Sequence, residues 1–173
     1  NKQAIEKANS TIDKYPIPAN FECGDILNSD KSSNYYDNVF SLSCADWNIR
    51  TLDIINRCWE LVKPGGFFTI SVRLTNIEGV NDFKKSYQVL KFKNTEPELA
   101  NYVVFNWKVF LKMIYGLNIK PSEVYGNGYW GNPSPTAITP YKQLAFSCFV
   151  IKKGTSFTNT ADVYFSFPLD LFL

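Results

Sequence analysis

Histidine is absent from the 173 residues. Without an imidazole there is no Ser-His-Asp or Cys-His nucleophile system, no His-containing zinc site and no histidine general base. A dominant charge is missing too. Lys and Arg number 18 against 16 Asp and Glu, a net charge of +2, which makes no domain-wide electrostatic case for nucleic acid. The four cysteines, Cys23, Cys44, Cys58 and Cys148, form no C-x-x-C pair and fall within apolar runs. That predicts buried free thiols in a reducing compartment, with no metal knuckle or redox motif. No uninterrupted apolar run approaches the ~20 residues needed to span a bilayer. The first seven residues are helical in character and unlike a signal peptide. A soluble, cytoplasmic protein without a membrane segment or a bound metal is the expectation.

What is present is apolar material, 45% of the residues with 16% aromatic, enough for one globular core and not for two. Both ends look cut. The chain opens on Asn1 and stops on Leu171-Phe172-Leu173, whereas natural termini are usually exposed and polar. Either processing or a fragmentary record would explain this.

Ile5, Ala8, Ile12 and Tyr15 recur at three- and four-residue steps, which predicts an amphipathic helix ended by Pro16 and Pro18. Asn20 to Cys23 is a short strand candidate stopped by Gly24-Asp25, and the polar stretch Asn28 to Asn34 reads as a loop or a short irregular helix. Asn38 to Ser43 is a strand. A helix beginning at Trp47 or Asn48 carries Leu52, Ile55, Trp59 and Val62 on one stripe, flanked by Ile54 and Cys58. Lys63-Pro64-Gly65-Gly66 stops it, since proline cannot continue a helix and glycine supplies a left-handed turn. Phe67 to Val72 is the next strand. Two helix-like stretches follow, the second carrying Trp107, Phe110, Met113, Ile114 and Leu117. Strand material at Glu123 to Tyr125, a Gly/Pro/aromatic loop from Gly126 to Pro140 and a strand from Gln143 to Lys152 complete the pattern. Alternating strands and helices predict a mostly parallel sheet covered by helices, with an antiparallel pair at the end.

Four segments carry more in their order than any does alone: Gln3 to Ala8, Phe21-Glu22-Cys23-Gly24-Asp25-Ile26, Tyr36-Asp37-Asn38-Val39-Phe40-Ser41-Leu42-Ser43, and Glu60-Leu61-Val62-Lys63-Pro64-Gly65-Gly66-Phe67-Phe68. Together they resemble the Rossmann-like, class I S-adenosylmethionine-dependent methyltransferases. The resemblance covers residues 1 to 75 in good order. It continues more weakly to Lys152, with Phe146 to Lys153 similar to the family's last strand. It implies an α/β fold with the strand order third, second, first, fourth, fifth, seventh, sixth, residues 1–153 forming the methyltransferase domain. The family's G-x-G-x-G turn and its ribose-binding acid have no counterpart here. The resemblance therefore implies that the first strand-helix-strand unit is missing. The strand at Asn38 to Ser43 would then lack a neighbour, because unpaired backbone groups and open edges are costly. A longer N-terminus, another segment or another chain is expected to fill that gap.

The resemblance also implies site residues. Asp25 would accept a hydrogen bond from the adenine amino group, with Gly24 and the backbone of Ile26 beside it; the alternative is that Asp25 only shapes a turn. Ser43 and Cys44, at the carboxyl edge of the sheet where ligands bind in such folds, would lie against the methionine part of S-adenosylmethionine. Trp47 would wall the cofactor or substrate. Asp46 either takes a proton from a hydroxyl acceptor or N-caps the next helix. Arg73 meets an anionic or sugar-like substrate or closes a surface ion pair. Residues 74–106, with Tyr87, Tyr102 and Phe105, are long enough for a substrate lid. Residues 126–140 form a second lid candidate whose Tyr129 and Trp130 could stack on a sugar or a flat group. Gly126 to Pro135 lacks the ending and the context of a phosphate cradle.

The tail, 154–173, carries Phe157, Tyr164, Phe165, Phe167 and Phe172 and should pack on this domain, a further domain or another subunit. Lys84-Lys85 and Lys91-Lys93 read as a solvated face. The expected activity is methyl transfer to a small-molecule or glycan acceptor rather than to nucleic acid. The competing readings are a non-catalytic methyltransferase-like module and, more weakly, an NAD-dependent sugar enzyme.

Overall fold

The structure is a computed structural model that describes residues 2–12, 14–15, 18–91, 96–155 and 160–173. Contacts divide the chain into two compact units, Asn1–Asp30 and Lys31–Leu173. The first holds helix α1, Lys2–Ile12. Its half-buried residues are Ile5, Ala8 and Ile12, the stripe that the periodicity predicts. The strand expected at Asn20 to Cys23 does not form: these residues are exposed and belong to neither sheet. Pro16, which was expected to end α1, lies outside the described residues.

The second unit is built on strands β1 (Tyr36–Ser41), β2 (Val62–Thr75), β3 (Tyr87–Leu90), β4 (Glu98–Asn101), β5 (Phe105–Asn106), β6 (Pro121–Gly131), β7 (Ala137–Ile138), β8 (Leu144–Lys153) and β9 (Asp162–Ser166), with helices α2 (Thr51–Leu61) and α3 (Trp107–Gly116). The main sheet runs β1-β2-β8-β6-β9, with β5 also on β2. Ladders β1–β2, β2–β5 and β6–β9 are parallel, while β8 is antiparallel to both of its neighbours. The stretch β1-β2-β8-β6 reproduces the expected order fourth, fifth, seventh, sixth. Among the described residues β1 pairs only with β2 and stands at the sheet's edge.

Alternation along the strands sets the core. Phe68, Ile70, Phe149 and Ile151 are fully buried together with Trp59 of α2 and Phe110 and Ile114 of α3. Helix α2 begins at Thr51 rather than at Trp47 or Asn48. The Asn48 side chain accepts the Arg50 amide at 2.8 Å, and local bonds of this kind compete with helix initiation. The buried face is Thr51, Ile54, Ile55, Cys58, Trp59 and Leu61, so the flanking residues become central and Leu52 is left exposed. The helix stops at Leu61 as the Pro-Gly-Gly signal requires. Val62 pairs with Tyr36 and Phe67 with Asn38, so Lys63–Gly66 bulges between them. Gly65 has φ +80°, and a Cβ on Gly66 would stand 2.5 Å from the Asp37 carbonyl oxygen.

Other segments differ from expectation. The first helix-like stretch after β2 is extended, forming the small antiparallel sheet β4-β3-β7. Its hydrophobic support is a second cluster of Tyr102, Val104, Tyr141 and Leu144, with Trp47 and Phe146 packed on it. Gly126 to Gly131, read as loop, is the continuation of β6. Glycines here serve packing: a Cβ on Gly126 would meet Phe149 at 2.7 Å, and one on Gly128 would meet Phe167 at 2.6 Å. The C-terminal segment supplies β9 and then an aromatic cluster in which Phe167 lies 5.6 Å from Phe149 and Phe172 lies 5.0 Å from Trp107. Phe157 and Lys93 lie outside the described residues. Of the four thiols only Cys58 is buried; Cys148 is half-buried, and Cys23 and Cys44 are exposed. No helix among the described residues is long and apolar enough to cross a membrane.

Candidate functional site

A cavity of about 540 Å³ opens where β1 and β2 end. Its floor is β2 and β8. Ser71 and Arg73 share a face of β2 and pair with Cys148 and Phe146, while Asn127 and Tyr129 of β6 continue that face. Trp47 and Tyr102 form one wall, and Gln88 and Ser134 approach from the small sheet.

At its centre lies a buried ion pair. Arg73 Nε donates to Asp46 Oδ2 at 2.7 Å, with the two side chains only 4% and 5% exposed. Arg73 Nη2 donates to the Asp46 carbonyl at 2.8 Å. The guanidinium lies 3.6 Å from the Tyr102 ring centroid and 4.7 Å from that of Trp47, within the range of cation–π attraction. Burial pushes the Asp46 carboxyl up from the ordinary aspartate range, and the Arg73 charge pulls it partly back. Three residues of the lining each carry a buried polar atom with no partner: Asp46 Oδ1, Arg73 Nη1 and Gln88 Oε1. Such groups normally find one.

Ser43 follows β1 and lines the cavity in the left-handed region, φ +48°. Its amide donates to Ser71 Oγ at 2.7 Å, which holds an otherwise unfavourable backbone in place. Asp46 is not an N-cap. It sits in a 3-10 turn at Ala45–Trp47, and its carboxylate is turned to Arg73. The surface ion pair offered for Arg73 is likewise replaced by a buried one.

Of the residues singled out from sequence, the cavity brings together Ser43, Asp46, Trp47, Arg73, Tyr102 and Tyr129. Cys44 is exposed and off the lining. Trp130 is also off it: one residue along β6 it takes the other face, and its Nε1 donates to Asp170 at 2.7 Å. In the first unit Asp25 caps a short 3-10 helix, Ile26–Asn28, accepting from the Leu27 amide at 3.0 Å. Gly24 and Ile26 flank it, exposed. Reading from sequence missed Ser71, Gln88, Asn127, Asn132, Ser134 and Ser147. The usable signal was the two-residue spacing of Ser71 and Arg73 within an apolar strand.

Solved structures resemble the fold. A Methanosarcina mazei S-adenosylmethionine-dependent methyltransferase matches with a TM-score of 0.64 at 12% identity, over 90% of this chain and 80% of the other. The Burkholderia thailandensis 1,6-didemethyltoxoflavin-N1-methyltransferase, solved with 1,6-didemethyltoxoflavin and S-adenosylhomocysteine, matches with a TM-score of 0.54 at 14% identity over 86% of this chain. The chain spans 56% of that protein's length. The cyclase SpnF matches with a TM-score of 0.57 at 9% identity, over 88% of this chain and 63% of the other. No protein-family model matches the sequence, and no curated protein does. The fold is that of the class I, Rossmann-like S-adenosylmethionine-dependent methyltransferases.

Proposed function

We propose that the protein acts in the cytoplasm, transferring the methyl group of S-adenosylmethionine to a small-molecule or glycan acceptor held in the cavity. The observation that carries this is the position of the cavity. It lies outside the carboxyl ends of β1 and β2, where ligands bind in open α/β sheets, and three of its lining residues carry buried polar atoms that lack partners.

The cofactor fits in part. Its amino-acid end needs hydroxyl, amide and carbonyl groups at the strand ends, and Ser43 and Ser71 bring hydroxyls there. Residues 1–173 contain no G-x-G-x-G turn. Ser43 and the backbone of Cys44 would hold the methionine end. By the family resemblance Asp25 would accept from the adenine amino group, beside Gly24 and Ile26. When bound, S-adenosylmethionine supplies a methyl group already activated by a sulfonium.

The chain's own contribution is positioning, worth roughly 7–11 kcal/mol when the acceptor is held in line. Trp47 and Tyr129 flank the acceptor. Asp46 Oδ1 takes the proton of an acceptor hydroxyl, made more basic by burial, while Arg73 keeps the carboxylate ionised and oriented through Oδ2. A non-catalytic role is the second reading, which the lack of a glycine-rich turn would favour if residues 1–173 were the whole protein.

Calorimetry with S-adenosylhomocysteine, on this chain and on an N-terminally extended form, separates the two. Heat of binding followed by methyl transfer that falls about 10²–10⁴-fold in Asp46→Asn supports the enzyme. No heat with either form overturns it.

A further inference from the structure

We propose that the cavity selects an uncharged ring amide, N–H beside C=O, and rejects the corresponding carboxylate. The inference rests on reading this cavity as the acceptor site. An arginine on a cavity wall ordinarily invites an anion. Here its charge is already answered. Nε and Nη2, one edge of the guanidinium, are taken by Asp46 Oδ2 and by the Asp46 carbonyl. Only Nη1 lacks a partner, and the one other charged side chain on the lining is Asp46 itself, with Oδ1 unpartnered. A carboxylate seated on Nη1 would therefore be buried with a second carboxylate and no cation in surplus, and such like-charge burial is unfavourable.

The unpartnered atoms are one donor, Arg73 Nη1, and two acceptors, Asp46 Oδ1 and Gln88 Oε1. These atoms are closed over, and a ligand that satisfies them once the side chains turn toward it offers a carbonyl oxygen or ring nitrogen and N–H or O–H groups, with no net charge. The surrounding surface agrees in kind. Asn127, Asn132 and Ser134 are uncharged hydrogen-bonding residues, and the Tyr129 ring, 5.9 Å from that of Phe146, is 66% exposed and free to cover a flat ligand. Gln88 is held for this task, since its Nε2 donates to Ser134 Oγ at 2.9 Å and to Thr136 Oγ1 at 3.0 Å, which leaves the carbonyl end unoccupied.

Two matched pairs test the charge rule without methyl transfer: uracil against orotate, the same ring bearing a carboxylate, and benzamide against benzoate. Binding to the full chain is read by chemical-shift titration of the Trp47 and Trp59 indole signals, Trp59 lying outside the cavity. The expected result is movement of Trp47 alone, with each neutral probe at least tenfold tighter than its anionic partner. In Asp46→Asn the Arg73 charge is released and the ranking reverses, so that orotate binds tighter than uracil. Should that variant not fold, Arg73→Gln reads the opposite sign and widens the discrimination against orotate.

Equal or tighter binding of the anions to the wild-type protein overturns the inference. So does an unchanged ranking in the variant that folds, and so does silence of Trp47 with all four probes. A parallel titration with S-adenosylhomocysteine keeps the two conclusions apart. Its failure with both this chain and the N-terminally extended form, alongside the expected ranking, would remove methyl transfer and leave the charge rule standing.

Discussion

Arg73→Met removes one half of the buried ion pair and keeps most of the side-chain volume. The Asp46 side chain, 5% exposed, then holds its charge without a cation at 2.7 Å. Breaking a buried pair from one side costs about 3–5 kcal/mol. The lost stacking of the guanidinium on Tyr102 and Trp47 adds about 1–2 kcal/mol to that. Proton uptake by Asp46 offsets part of the loss, which leaves a net destabilisation of about 3–5 kcal/mol at neutral pH. For a chain of this size that lowers Tm on the order of 10 °C.

The pH dependence follows from the direction of the shift. Burial already raises the Asp46 carboxyl, and Arg73 is what pulls it back. In the variant the folded-state value rises further, so the native protein binds its proton over a wider range than the unfolded chain does. Stability then falls as pH rises through the window between the unfolded and folded values. The difference from wild type is therefore largest above that window and shrinks on acidification. Urea titrations followed by tryptophan fluorescence at several pH values measure it, with Asp46→Asn/Arg73→Met as the control that removes both charges and recovers most of the loss. A single-variant loss below about 1 kcal/mol, or one that does not change with pH, would refute the account of a desolvated, coupled pair.

Three further outcomes are expected. Cys58, its thiol pushed up to about 11 by burial, should carry thiolate in about one molecule per thousand at pH 8. Iodoacetamide should then label Cys44 and Cys23 of the native protein well before Cys58, as read by mass spectrometry of peptides. Lys153, 2% exposed, donates to the Trp59 carbonyl at 2.9 Å and the Val62 carbonyl at 2.7 Å. Lys153→Met should lower stability by about 2–4 kcal/mol through loss of these charge-assisted bonds at the end of α2, measured by urea denaturation. Gly128→Ala places a Cβ 2.6 Å from Phe167; the overpacking should cost about 1–3 kcal/mol and speed proteolysis of the 160–173 segment.

Periodicity made the scaffold legible. The stripe of α1, the buried runs of β2 and β8 and the Pro-Gly-Gly stop each follow from a repeat or a backbone preference acting within a few residues. Longer-range causes were not legible. Glycine ordinarily weakens strands, so Gly126 to Gly131 read as loop. It is strand because Phe149, Phe165 and Phe167 fill the room its glycines leave, and those rings come from two other elements. Asp46 looked like a helix cap because its neighbours in sequence are a helix start. Its actual partner, Arg73, is brought to it by the parallel pairing of β1 with β2. The cavity's amides were invisible for the same reason: Gln88, Asn127 and Asn132 converge only once the small sheet is placed over β8.

Departures from an economical fold gather at one end of the sheet, though not there alone: Asn34 and Ile119 also hold left-handed backbones, and Trp107 Nε1 is buried without a partner. Ser43 holds a left-handed backbone that a residue with a Cβ rarely adopts, which is a cost of order 1–3 kcal/mol. Ser41, 4% exposed, has a hydroxyl without a partner. Asp46 and Arg73 form an ion pair where well-packed apolar side chains of similar volume would serve stability as well or better. All four residues lie at or beside the carboxyl ends of β1 and β2, while the opposite end of the same strands is tied by the Lys63–Asp37 surface pair. Four such departures stand at the end of the sheet where open α/β folds bind ligands, and a bound molecule that partnered the Asp46 and Arg73 atoms there would recover part of their cost.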